Sequence, residues 1–160
     1  FGTSTLSSRF TFQGSTTADV VTIRTGSSAN ANVGALVFRD GSSDYCGQIT
    51  CNGNSNSVSY ITSSDYKLKE NVDYTWNATT RLKQLKPARF NWISDNTNTL
   101  VDGFLAHEVS SIVPEAVVGD KDAVDSDSNP EYQGIDHSKL VPLLVKTIQE
   151  LEARIATLEG

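Results

Sequence analysis

Ser64 and Lys69 stand five residues apart in the stretch Ser63-Ser64-Asp65-Tyr66-Lys67-Leu68-Lys69-Glu70-Asn71-Val72. A serine hydroxyl is a weak nucleophile until a base takes its proton. Lysine can be that base when burial disfavours its charged form. Serine–lysine pairs are a recognised variant of the serine-peptidase arrangement. If Ser64 closes a strand and Lys69 follows one short turn later, the two side chains meet. The hydroxyl then lies against peptide bonds of its own backbone, so the chemistry on offer is cleavage of the chain itself. Spacing alone does not separate this from a chance surface pair of common polar residues.

The elements around the pair must therefore decide. Composition changes at this stretch. Before it run Ser, Thr, Gly and Asn in short alternating segments, with only Arg9, Asp19, Arg24, Arg39, Asp40 and Asp44 charged. After it come most of the charges, all four prolines and the long apolar periodicities. Two segments follow, 1–63 and 64–160.

In the first, Phe10/Phe12, Val21/Ile23, Leu36/Phe38, Ile49/Cys51 and Val58/Tyr60/Thr62 alternate with polar neighbours. Turn residues bound them, including Asp40-Gly41 and Asn52-Gly53. Period-two alternation between such clusters predicts short strands. Each strand carries two or three large apolar residues, too few to offset the entropy of ordering within one chain. Symmetric association would supply the missing cover and close the strand edges. The expectation is an oligomeric β stalk.

In the second segment, Asn77 is placed to cap a helix over Ala78–Leu85, stopped by Pro87. Ala88–Ile93 and Leu100–Ala106 read as strands, with Phe90, Trp92 and Phe104 as the aromatic core. His107–Val113 makes a short helix and Ala116–Val118 a short strand. Ser138 is the expected cap of the longest helix, with Pro142 in its first turn. Val141, Leu144, Ile148, Leu151, Ile155 and Leu158 repeat at alternating spacings of three and four, the a and d positions of a heptad. Such a stripe serves either packing on its own domain or self-association. Its position at the end of the chain, behind a stalk that needs partners, favours self-association. Ile at a with Leu at d prefers two strands, so the stripe by itself does not give a trimer. The fold class is α+β.

Other chemistry is weaker. The formal net charge of −6 argues against nucleic-acid binding. No apolar run nears the roughly 20 residues of a membrane span. Cys46 and Cys51 lack a second pair or a nearby His, so free thiols are expected rather than zinc. Asp120, Asp122, Asp125 and Asp127 lack the glycine and terminal glutamate of a calcium loop. Neither metal nor cofactor is expected. Asn77-Ala78-Thr79 spells a glycosylation acceptor by chance. Phe1 is not an initiator, so the chain is expected to be part of something longer.

From Ser64 to Glu159 the chain resembles the C-terminal intramolecular chaperone, auto-processing domain of phage tailspikes and tail fibres, endosialidase tailspikes among them. The resemblance covers about three fifths of the chain. It rests on ordered blocks: Ser64–Val72, Leu82–Pro87 with Phe90-Asn91-Trp92, Gly103–Val109 with Pro114, and Leu140–Leu144 running into Ile148–Leu151. It implies a homotrimer that folds an intertwined triple-chain β stalk, its own N-terminal client. The domain, a small mixed α/β unit ending in a long coiled-coil-like helix, then cuts itself off by a Ser64–Lys69 dyad. The junction is Ser63, Ser64 and Asp65, and either side of Ser64 is open as the scissile bond. Asn71 could support the dyad. His107 and Glu108 tempt a triad, although a structural role suits them better. The resemblance also implies folding in a bacterial host's cytoplasm, a mature stalk in the virion tail, and receptor contact only through a region upstream. The competing readings are a trimerisation cap that stays on the fibre uncut and, last, a receptor- or glycan-binding tip.

Overall fold

The computed structural model describes residues 33–52 and 54–160. The chain divides into two compact units, Phe1–Val72 and Asp73–Gly160. The Ser64–Val72 block thus belongs to the first unit, together with the strands. The strands expected around Phe10/Phe12 and Val21/Ile23 lie outside the described residues.

In the first unit, β1 (Val33–Arg39), β2 (Tyr45–Asn52) and β3 (Ser57–Thr62) form an antiparallel meander. Leu36 faces Ile49, and Ile49 faces Tyr60. Asp40 builds the first turn: its carboxylate accepts the N–H groups of Ser42 and Asp44 at 2.9 and 2.8 Å, and Ser43 takes a positive φ of 70°. Asn52 starts the second turn by accepting from the N–H groups of Asn54 and Ser55. The alternation in the sequence is therefore realised as pairing, as expected. Burial is not. Phe38, Val58 and Tyr60 are 53%, 56% and 81% exposed. Among the described residues, every buried hydrophobic side chain belongs to the second unit. Cys46 and Cys51 are free thiols. Their odd separation on β2 sends them to opposite faces.

The second unit mixes three helices with two small sheets, an α+β arrangement. The elements are α1 (Ala78–Leu82), β4 (Ala88–Phe90), β5 (Val101–Gly103), α2 (Ala106–Ser110), β6 (Val117–Val118), β7 (Gly134–Ile135) and α3 (Val141–Glu159). β4 pairs with β5 and β6 with β7, both antiparallel. Asn77 caps α1 as expected, accepting from the Thr80 N–H at 3.0 Å. Both strands of the first pair are shorter than the sequence suggested. Asp95 ends that run by gathering the N–H groups of Thr97 and Thr99 into a turn.

The core is aliphatic: Ala78, Val109, Val113, Ala116, Leu140 and Leu143, with Phe104, Trp76 and Leu82 at its margin. This corrects the expected aromatic centre. Trp92 meets Phe90 edge to face at 5.4 Å, but it is 63% exposed. The start of the last helix is corrected too. Asp136, not Ser138, is the cap: its carboxylate accepts from the Ser138 N–H and hydroxyl. It opens a 3-10 turn (His137–Leu140) that runs into α3.

α3 has two faces. Leu143 and Thr147 are buried, and Lys146 and Glu150 half-buried, on a face at i, i+3, i+4 and i+7 that packs on α1. The Glu150 carboxylate accepts the N–H groups of Ala78 and Thr79, both at 2.8 Å, and the Thr79 hydroxyl. It thereby satisfies N–H groups that the first turn of α1 leaves without helical partners. Lys146 donates to the Tyr74 carbonyl at 2.9 Å. The heptad stripe points elsewhere: Ile148, Ile155 and Leu158 are 64%, 54% and 86% exposed.

The Thr79 hydroxyl foremost, then the Ala78 and Thr79 N–H groups, hold the Glu150 carboxyl down from 4.5 to about 2. A depressed carboxyl stabilises the fold above its ordinary pKa, and that contribution is lost as pH falls through the folded value. Glu150→Gln should therefore lower the melting temperature by a few degrees at neutral pH. The gap to the parent should shrink as pH falls from 4.5 toward 2. Thermal melts at stepped pH test this; a gap that stays constant through that window would remove Glu150 as the clamp.

Candidate active site

The site begins where β3 ends. Ser63 continues the β2–β3 pairing by one residue. Its N–H donates to the Cys46 carbonyl at 3.0 Å and its hydroxyl to the Tyr45 carbonyl at 2.9 Å. Asp65 then turns the chain. With φ −65° and ψ 141°, it accepts the Lys67 N–H on its carboxylate at 2.9 Å and caps a 3-10 turn over Tyr66–Leu68. The N–H groups of Leu68 and Lys69 close that turn on the carbonyls of Asp65 and Tyr66, each at 3.1 Å. Lys69 leaves it extended, at φ −127° and ψ 140°.

This path folds the lysine back over the serine. Lys69 Nζ lies 2.7 Å from Ser64 Oγ and 3.2 Å from the Ser64 carbonyl oxygen. The first distance is the reach a nucleophile and its base require. The second sets a donor on the carbonyl of the Ser64–Asp65 bond. An apolar-walled hollow of about 520 Å³ opens beside the pair, lined by Tyr45, Ile61, Ser63, Ser64, Lys67 and Leu68 among others. Ser64 and Lys69 are both exposed in the single chain. The chain alone therefore does not supply the desolvation that makes lysine a base.

The other candidates separate. Asn71 adopts a left-handed backbone, φ 52°, which Asn tolerates, and so serves the turn out of the block. His107 and Glu108 lie on α2, in the second unit. Glu108 carries an ion pair with Lys86 at 3.2 Å, and His107, as its immediate neighbour, points in another direction. In the acidic loop, Asp125 is occupied by Asn129 and by the Asp127 N–H. The Asn129 side chain foremost holds the Asp125 carboxyl below its ordinary range. Among the described residues, no three His, Cys, Asp or Glu side chains come close enough to hold a metal ion. No described helix is long and apolar enough to cross a membrane.

The sequence placed Ser63 and Asp65 at the junction without assigning the bonds that hold them there. Asp65 as the turn cap was legible, because Asp two residues before a backbone donor is an Asx-turn signature. The Ser63–Tyr45 bond spans 18 positions, and no local pattern announces it.

The chain matches no curated protein. Residues 64–118 match a peptidase family model described as chaperone of endosialidase. The matched stretch starts on the serine of the pair and runs through β6. Over this stretch the chain is similar to the chaperone-of-endosialidase family.

Proposed function

We propose that this chain is a trimerising intramolecular chaperone joined to the end of its β stalk, and that it releases itself by one self-cleavage at the Ser64 junction. The observation that carries the reading is the 2.7 Å contact between Lys69 Nζ and Ser64 Oγ, at the first residue of the family match. The exposed apolar side chains of β1–β3 support a client that needs other copies. The unpartnered heptad stripe on α3 supports a device that gathers them. Trimer order comes from the family resemblance, not from the heptads. In this reading the chain folds in a bacterial host's cytoplasm and the mature stalk ends in a virion tail. Any receptor is met through residues upstream.

The chemistry follows from what the pair can reach. Ser64 Oγ cannot attack its own carbonyl, because that closes a four-membered ring. It can attack the Ser63 carbonyl while neutral Lys69 takes the hydroxyl proton. The Ser63 carbon then gains a bond to Oγ and loses its bond to the Ser64 nitrogen. Lys69 returns the proton to the leaving amine, and water opens the ester to leave a Ser63 carboxylate and a free Ser64 hydroxyl. The released piece starts at Ser64. The 3.2 Å contact to the Ser64 carbonyl oxygen favours a second route. There a neighbouring chain's hydroxyl attacks the Ser64 carbonyl carbon, the Asp65 nitrogen leaves with the hydroxyl's proton, and water opens the ester to a Ser64 carboxylate, so that the released piece starts at Asp65. A general base in a water-excluded site needs cover, and neighbouring chains are the source this reading names. Assembly thereby precedes cutting.

Mass spectrometry of the expressed chain tests the reading and assigns the bond. The parent should appear as two pieces, Ser64→Ala and Lys69→Ala as one. Equal splitting of all three would discard the dyad, and splitting in none would discard it in favour of a cap that stays on the fibre.

The α3 stripe makes a separate prediction. Ile148→Asp with Ile155→Asp should give a monomer by light scattering, keep the helical circular dichroism, and cut at least 100-fold more slowly, on the order of the 10²–10⁴-fold worth of a working general base. Leu143→Ala, on the buried face, should instead destabilise the second unit by about 2–5 kcal/mol. A monomer that cuts at the parent rate would uncouple assembly from chemistry.

A further inference from the structure

Two tethers hold the Ser64–Lys69 pair, and they differ in kind. The Asp65-capped turn is local, closed within five residues of Ser64, and it brings Lys69 to Ser64 whatever the rest of the chain does. The tether on the other side is not local. Ser63 is bound through its N–H to the Cys46 carbonyl and through its hydroxyl to the Tyr45 carbonyl, at the start of β2. These bonds exist only when β3 has paired with β2 along its whole length. Pairing at this end is close. Gly47 faces Thr62, and a Cβ on Gly47 would collide with the Ile61 carbonyl oxygen. Ser63 is half-buried, and its own carbonyl is the group next to the Ser64 nitrogen. With both its N–H and its hydroxyl engaged, the Ser63 Cα is held relative to β2, and with it the position of the carbonyl carbon of the Ser63–Ser64 peptide.

We infer that Ser63 is a positioning residue: its hydroxyl, bound to the Tyr45 carbonyl, fixes the peptide that Ser64 works on, so that the junction becomes cleavable once β2 and β3 have zipped to their end. The inference rests on the reading of Ser64 and Lys69 as the cutting pair. It adds a condition that the pair alone does not impose. A stalk frayed at this end keeps the Ser64–Lys69 contact and loses the anchored carbonyl carbon. Whichever bond next to Ser64 breaks, Ser63 is the last residue the sheet holds.

Threonine and valine have the same shape and differ by the hydroxyl, so they isolate the bond. The full-length chain is followed by single-turnover cleavage on a denaturing gel, as parent, Ser63→Thr, Ser63→Val and Ser64→Ala, with trimer content measured in parallel. Ser63→Thr should cut within about twofold of the parent. Ser63→Val should cut about tenfold more slowly, the worth of one orienting hydrogen bond, at unchanged trimer content. Ser63→Val at the parent rate, or Ser63→Thr as slow as Ser63→Val, would overturn the role of the hydroxyl while the dyad stands. Cleavage in Ser64→Ala would instead bring down the dyad reading itself.

Discussion

A three-stranded ribbon has two faces, and one chain offers too few large side chains to cover both. In this protein that shortage is visible residue by residue. Leu36, Val37 and Phe38 lie consecutively on β1, so they address both faces of the sheet, and all three are exposed. Fully burying a side chain of this size is worth about 1.5–3 kcal/mol, and an isolated small sheet without a packed face is marginal in water. The ribbon therefore draws its stability from what is laid against it. A separate folding unit that gathers copies answers that need, and once the ribbon is covered the unit has no further thermodynamic task. A removable helper is consistent with that order of events.

The same shortage bears on the chemistry. A lysine with its amine in open water keeps its proton and cannot accept another. The turn from Asp65 to Lys69 delivers the geometry, 2.7 Å between the two side chains, but not the dry surroundings. Geometry comes from local hydrogen bonds that any single copy can make, whereas dryness has to come from outside. Under the proposed function, splitting the two requirements in this way would keep an unassembled copy intact without any added inhibitor. Ser63 extends the logic by one step, since its bond to the Tyr45 carbonyl reports on strand pairing rather than on assembly.

Much of this was legible in the sequence, for reasons that can be named. Val58-Ser59-Tyr60-Ile61-Thr62 alternates, and β3 lies there. Ser64 and Lys69 are five apart with an aspartate between them, and a capped short turn brings such residues together. Legibility failed where the winning interaction was not local or not hydrophobic. Trp92 and Ile93 look like core residues, yet Asp95 pulls the chain into a turn and leaves Trp92 exposed. Asp136 and Ser138 are both good caps, and only the hydrogen bonds choose Asp136. β7 is two residues, Gly134 and Ile135, with no periodicity to detect.

α3 shows what pattern reading leaves out. Its most hydrophobic face, Val141 through Leu158, invites the conclusion that this face packs on the domain. The face that does so is marked instead by Leu143, Lys146, Thr147 and Glu150. A polar inner face works because its charges have partners: Glu150 satisfies backbone donors at the start of α1, and Lys146 satisfies a carbonyl. Directional bonds of this kind fix the rotation of the helix about its axis more tightly than interchangeable apolar contacts would. With the rotation set from the inside, the apolar stripe is left exposed on the outside. The clamp at Glu150 and the stripe at Ile148 and Ile155 are two sides of one arrangement, in which polar bonds hold the helix to its own unit and keep its hydrophobic surface free.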